Sequence, residues 1–229
     1  MGTFGEIVEP VSRSVWEDWD EIITDNQRDS LQWKVPLQIP DSIEILYILE
    51  GKLLSDYIKG QPVHHLKLVN SIPEAAANLY KIKCDDFVFT IKDYNLLQSS
   101  EIVELLKPIL CKCGDVITIQ TKPLPEYQTE NPSTHTVVIR QISTTAQSKF
   151  KKLGCNYDKL EQPNILSGIS AGALCLREHT NMSAIALVYY IEHIEDFQSN
   201  PIKKLLEKLQ IIQDSNIKGS TLLTSNLYI

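Results

Sequence analysis

Residues 183–191 constrain the fold more than any other part of the chain, because all nine are small, apolar or tyrosine and none is charged. A strand that is apolar on both faces must be covered on both, as in sheets that carry helices on either side, whereas an exposed antiparallel sheet would alternate apolar and polar residues. Four further runs rich in β-branched and aromatic residues also predict strands: 43–49, 86–91, 115–120 and 136–142.

Three segments between or after these runs show helical character. One follows Ser99 or Ser100 as the N-cap and repeats its apolar residues at positions 102, 105, 106 and 109. Another begins with Pro201 at the first helical position. The third, 164–179, is rich in glycine and alanine and ends before Asn181, which suits a left-handed position after a helix. The chain is therefore expected to be an α/β layered sandwich with a mixed or mainly parallel sheet flanked by helices.

A chain of 229 residues has room for one large domain or two small ones, and no linker in it requires two. We expect an acidic N-terminal extension over 1–40, a single α/β domain over 41–215 and a flexible C-terminal tail over 216–229. The extension holds eight of the 29 acidic residues. Three prolines within 122–133 predict a long exposed loop there.

The net charge of −7 argues against a nucleic-acid partner, since such proteins usually carry a basic surface. The sequence contains no apolar run of the roughly 18 residues that crossing a bilayer requires, so we expect no membrane span. Five cysteines and no recognisable signal peptide predict a reducing compartment, the cytoplasm and also the nucleus.

Metal and cofactor sites have little support in the sequence. Cys111 and Cys113 are separated by one residue and have no histidine at a zinc-ligand spacing, while the pair His64 and His65 is more typical of a surface turn or a strand start. The chain contains neither a glycine-rich dinucleotide pattern nor a phosphate-binding loop. We therefore expect no metal, no cofactor and no small-molecule substrate.

One enzymatic alternative comes from residues 168–172, which match the G-x-S-x-G pattern of serine hydrolases with Ser170 as the nucleophile. Such a serine needs a sharp strand-to-helix turn and a nearby histidine base. Only Ile165 and Leu166 could form the preceding strand, and the downstream histidines are His179 and His193. Small residues that allow close helix packing account for the same pattern without catalysis.

The chain ends with Leu227, Tyr228 and Ile229. They fit a pattern of a hydrophobic residue, a tyrosine and a residue of any type, followed by the free carboxylate. An apolar side chain and a phenol ring can fill a groove on a partner, and the terminal carboxylate can meet a lysine there. We expect these three residues to bind a partner.

Four segments, 3–8, 160–165 with the small-residue helix after it, 183–191 and 225–229, together resemble the proteasome assembly chaperone 1 family. The resemblance implies an α/β fold and a non-enzymatic chaperone for assembly of the proteasome core particle. It also implies a heterodimer with proteasome assembly chaperone 2 that binds the proteasome α-subunits. Leu227, Tyr228 and Ile229 would then insert into a pocket between neighbouring α-subunits.

Overall fold

The computed structural model describes residues 30–62, 64–82, 86–129, 137–146, 156–192 and 201–213. The described residues from Leu31 onward belong to one compact unit. The strands and helices in chain order are β1 Ile43–Glu50, α1 Lys52–Lys59, β2 Lys67–Ile72, β3 Ala77–Lys81, β4 Phe87–Ile91, α2 Ser99–Leu110, β5 Cys113–Pro123, β6 Val137–Ser143, α3 Gly168–His179, β7 Ala184–Ile191 and α4 Pro201–Lys208.

The seven strands form one mixed sheet in the order β2-β3-β4-β1-β5-β7-β6. The four central strands, β4, β1, β5 and β7, are parallel to one another. Antiparallel pairs complete both sides, with β3 beside β4, β2 beside β3 and β6 beside β7. The predicted α/β class with a mixed sheet flanked by helices is confirmed.

Helices cover both faces of this sheet. Tyr47 and Leu49 of β1 point into a core shared with α1 and α4, while Leu46 and Ile48 point into a second core shared with α2 and α3. All eight residues of β7 are buried, as the apolar run predicts. Each fully buried leucine or isoleucine contributes about 1.5–3 kcal/mol relative to the exposed side chain, so the two cores dominate stability.

Helix boundaries differ from the predictions in two places. The small-residue helix begins at Gly168 rather than at 164, and Asn181 after it has the predicted left-handed backbone, with φ of 53°. Neither Ser99 nor Ser100 caps α2, because both are already helical. A 3-10 turn over Leu96–Gln98 precedes the helix, and the Asn95 side chain caps that turn by accepting from the Leu97 amide at 3.0 Å.

Several elements were not anticipated from the sequence. The hairpin β2–β3 and the short helix α1 fall where no element was predicted. The predicted loop over 122–133 is partly strand, since β5 continues to Pro123, and a 3-10 turn follows it over Leu124–Glu126. Residues 130–133 of that loop lie outside the described residues.

The segment before β1 packs beside α2. The Leu31 amide donates to the Glu101 carboxylate at 2.6 Å, and the Trp33 indole donates to the Leu105 carbonyl at 3.2 Å. The Trp33 ring also meets Phe89 edge-on, with centroids 6.3 Å apart. Residues 31–39 therefore contribute to the core, and the predicted domain boundaries at 40 and 215 stay predictions.

Arg177 of α3 joins three elements from inside the protein. The side chain is 1% exposed and donates to the carbonyls of Leu110, Cys113, Gly114 and Ser183 at 2.6–2.9 Å. These carbonyls belong to the end of α2, the start of β5 and the turn before β7. A planar guanidinium can serve several carbonyls at once, which a lysine ammonium cannot do in this geometry.

Candidate functional site

The predicted partner-binding residues Leu227, Tyr228 and Ile229 lie outside the described residues, which end at Gln213. The predicted tail start at 216 lies outside them as well. What the structure does show is how the chain is held just before the tail. This short segment, Leu209 to Gln213, is called the tail root below.

The tail root packs into the core that contains α1 and α4. After α4 the chain turns at Gln210, whose φ of 57° is left-handed, and Ile211 and Ile212 become 0% and 4% exposed. Both isoleucines belong to the same apolar cluster as Tyr57 and Ile58 of α1. Burial of two isoleucines anchors the segment by about 3–6 kcal/mol.

Two buried polar side chains from the turn after α1 hold the tail root. Gln61 Oε1 accepts from the Gln213 amide at 2.9 Å. His65 Nε2 lies 3.0 Å from the Ile211 carbonyl, and its Nδ1 lies 3.3 Å from the Gln213 side-chain amide. A carbonyl only accepts, so Nε2 carries the proton and Nδ1 accepts from Gln213, which fits a neutral imidazole.

This attachment joins the turn between α1 and β2 to the segment that follows α4. The histidine pair was interpreted as a surface turn or a strand start, and both residues lie in a turn shortly before β2, where His64 is exposed and His65 is 7% exposed.

Ser170 lies in the first turn of α3 and is 0% exposed. Its hydroxyl donates to Glu50 Oε2 at 2.7 Å, and its backbone amide donates to the same oxygen at 3.1 Å. Glu50 is the last residue of β1 and is 5% exposed. The serine therefore fastens the start of α3 to the carboxyl edge of the sheet.

The other oxygen of Glu50 is equally occupied. Gln120 Nε2 of β5 donates to Oε1 at 3.0 Å, and the Tyr94 hydroxyl donates to the same atom. Tyr94 in turn accepts from the Ile169 amide at 3.0 Å. Burial and the neighbouring Glu50 carboxylate raise the pKa of Tyr94 well above its usual range, so the phenol keeps the proton that it donates.

The Glu50 carboxylate thus takes the place of an anionic ligand. In open α/β sheets ligands commonly bind at the carboxyl edge of the strands, and helix N-termini there attract anions. Here the protein supplies that anion from its own chain, with Ser170, Gln120 and Tyr94 as donors.

This geometry differs from a nucleophile elbow. No strand directly precedes Ser170, and its hydroxyl is bonded to a carboxylate rather than to an imidazole. His179 lies at the other end of α3, and His65 is bonded to the tail root. His193 lies outside the described residues. The alternative interpretation of Ser170 as a nucleophile therefore has no support from the described geometry.

Within the described ranges, no group of three or more His, Cys, Asp or Glu side chains could hold a metal ion. Cys113 donates to the Leu110 carbonyl at 3.4 Å, and burial raises the pKa of its thiol to about 11. Cys111 beside it is exposed. Of the helices that the structure describes, none is long and apolar enough to cross a membrane.

An open apolar groove of about 550 Å³ lies beside α3. Ile165 at its rim is 73% exposed. The groove is lined by residues from β6, from the segment before α3 and from α3: Ile142, Gln162, Pro163, Asn164, Ile165, Leu166, Ala171, Leu174 and Cys175.

Sequence reasoning missed Glu50, which holds the start of α3, and Gln61 and His65, which hold the tail root. Glu50 directly follows an apolar strand and precedes Gly51, and this pattern also occurs in ordinary turns. Gln61 and His65 lie about 150 residues from their partners in the tail root, so no local spacing connects them. A charged residue at the end of an apolar strand was the only local signal, and it applied to Glu50 and to neither Gln61 nor His65.

The sequence matches no protein-family model and no curated protein. The fold, however, is similar to solved structures. Pyrococcus furiosus PbaB, an archaeal proteasome activator, has a TM-score of 0.56 at 12% identity, with 81% of this chain and 91% of that chain covered. Pyrococcus furiosus PbaA, an archaeal homolog of proteasome-assembly chaperone, gives 0.53 at 12% identity, with 81% and 84% covered. A Mycobacterium tuberculosis protein of unknown function gives 0.52 at 12% identity, with 80% and 76% covered.

These similarities define the class of fold, a mixed α/β sandwich shared with PbaB and PbaA. At 12% identity they establish the fold and leave function to be argued separately.

Proposed function

We propose that this chain is a chaperone for assembly of the proteasome core particle, of the proteasome assembly chaperone 1 type. In this proposal it forms a heterodimer with proteasome assembly chaperone 2 and binds the proteasome α-subunits, in the cytoplasm and the nucleus. The observation that carries the proposal is the fold shared with PbaA and PbaB over 81% of this chain. The terminal residues Leu227, Tyr228 and Ile229 supply independent support, because they were singled out from the sequence alone.

The proposed mechanism is insertion of the tail into a pocket between neighbouring α-subunits. The Leu227 side chain and the Tyr228 ring would fill the pocket, and the Ile229 carboxylate would pair with a cation there. A plug of three residues buries a few hundred Å², which after ordering costs gives about micromolar affinity or weaker. Contacts of the folded body must therefore add to the tail, and they make its capture intramolecular.

The proposal assigns no catalytic role to this chain. Ser170 acts in it as a structural residue that holds the start of α3 to Glu50. The Ser170→Ala variant should bind α-subunits as the unmodified protein does, and an active-site serine probe should leave Ser170 unlabelled in the folded protein. Labelling of Ser170 would favour the hydrolase alternative.

The decisive experiment measures binding of the purified heterodimer to proteasome α-subunits. The variants are Tyr228→Ala, a chain lacking residues 227–229, and the matched control Leu222→Ala, which removes an apolar side chain from the same tail outside the motif. We expect at least a tenfold loss of affinity for the first two, no loss for Leu222→Ala and an unchanged melting temperature for all three. Full binding by the truncated chain would refute tail insertion.

A second measurement addresses the partners themselves. Native purification of the tagged chain from cells should recover the second chaperone and α-subunits without mature β-subunits. Recovery of neither would refute the proposed assembly role, independently of the tail.

A further inference from the structure

We propose that Gln61 and His65 are positioning residues that set the origin and therefore the reach of the C-terminal tail. This inference rests on the proposed function, since it concerns how the tail meets a partner. Its basis in the structure is the tail root, where two buried side chains and two buried isoleucines fix the last described residues of the chain.

The attachment is specific rather than a general apolar contact. Gln61 and His65 are 8% and 7% exposed, and each directs a polar atom at the tail root. Together they satisfy the backbone amide and the side-chain amide of Gln213 and the backbone carbonyl of Ile211. Buried polar groups of this kind cost about 1–3 kcal/mol each when left without a partner, so the three bonds favour one arrangement of the segment.

The attachment point fixes how far the terminal motif can travel. Sixteen residues, 214–229, follow Gln213. Fully extended, a segment of that length spans at most about 55 Å. Binding through the tail is therefore limited to pockets within that distance of Gln213.

Release of the tail root would move this origin. If residues 210–213 detached, the free segment would lengthen by four residues and its maximal reach would grow by about 14 Å. The effective concentration of the motif falls with roughly the −3/2 power of linker length, so a full-length tail would lose only about 1.4-fold in binding. A tail made too short to reach its pocket, by contrast, would regain binding when the root is released.

This difference gives the test. Tails shortened two residues at a time within 214–223 are combined with the variant Gln61→Ala, His65→Ala, and binding of each heterodimer to α-subunits is measured. We expect a tail length below which affinity falls at least tenfold, and we expect the double substitution to restore it several-fold at that length. On the full-length tail the same substitution should change affinity less than twofold. The matched control is Gln38→Ala with His64→Ala, which changes an exposed glutamine and the neighbouring exposed histidine.

Hydrogen exchange of the Ile211–Gln213 amides in the free protein provides a readout that does not depend on any partner. Exchange at Gln213 should accelerate about tenfold in Gln61→Ala, because its acceptor is lost, and Gln61→Glu should restore protection since it keeps an acceptor oxygen. Any of three outcomes would overturn the inference. These are unchanged hydrogen exchange in the double variant, no loss of binding across the shortened tails, and a shortened tail that still fails to bind after the root is released. If Tyr228→Ala binds normally, the proposed function fails instead, and the exchange result still decides whether Gln61 and His65 anchor the root.

Discussion

Replacement of Glu50 by glutamine should destabilise the fold far more than removal of an ordinary surface charge. The carboxylate accepts four hydrogen bonds, two at each oxygen, from Tyr94, Gln120 and both the amide and the hydroxyl of Ser170. A glutamine of the same shape keeps one acceptor oxygen and puts an NH₂ group in the position of the other. Two of the four N–H or O–H donors then point at this NH₂ group, which cannot accept a hydrogen bond from them.

The magnitude follows from which donors can adapt. The hydroxyls of Tyr94 and Ser170 can rotate and accept from the new NH₂ group, whereas the Ser170 backbone amide and the Gln120 amide cannot accept. Whichever way the new side chain is turned, one buried N–H loses its partner, at about 1–3 kcal/mol. Loss of the negative charge at the start of α3 adds about 0.3–2 kcal/mol. We expect a total of about 2–4 kcal/mol.

Urea denaturation followed by circular dichroism measures this change directly, with Glu74→Gln as the matched control because Glu74 is exposed. At about 2–4 °C for each kcal/mol in a protein of this size, the melting temperature should fall by roughly 10 °C. A double-mutant cycle with Ser170→Ala should show coupling, since the two side chains share a bond. A loss below about 0.5 kcal/mol, as expected for the surface control, would refute the reasoning.

Four further predictions concern stability, reactivity and pH dependence. Gly168→Ala should lower the unfolding free energy by about 2 kcal/mol or more, as measured by thermal melting. Gly168 has a left-handed φ of 72°, and an added Cβ would overlap the Tyr94 hydroxyl and the Glu50 carboxylate. Arg177→Lys should cost about 3 kcal/mol by chemical denaturation, and a cost no larger than that of a surface substitution would contradict its role at four carbonyls. Under native conditions iodoacetamide should modify exposed Cys111 and Cys175 and spare Cys113, as read by peptide mass mapping. Because the folded pKa of Cys113 is raised to about 11, its contribution to stability is complete below the unfolded pKa of about 8.5 and is lost as the pH rises through about 11.

The part of the fold that could be predicted is the part determined by apolar patterning. The run that became β7 has no polar residue to expose, so burial on both faces and helices on both sides followed directly. The amphipathic repeat of α2 and the left-handed backbone at Asn181 also depend on local chemistry. Such features are encoded within about ten residues of sequence.

The hairpin β2–β3 could not be predicted in the same way, because its strands mix charged and apolar residues. In β2 the pattern shifts register between Leu68 and Asn70, which interrupts the alternation expected of a strand. Asn70 is buried because its side chain bonds both the amide and the carbonyl of Val35. A tertiary contact therefore determines a feature that composition alone would assign to the surface.

The candidate site shows the same division between local and distant information. The terminal motif was predicted from three adjacent residues and lies outside the described residues, while Gln61 and His65, which hold the tail root, lie on the turn after α1, about 150 residues away in sequence. The carboxyl edge of the sheet, where α/β proteins commonly bind ligands, is filled by Glu50 and its donors. In Glu50→Ala these donors lose their acceptor, so formate or acetate is expected to restore part of the lost stability by taking the place of the missing carboxylate, as measured by the melting temperature.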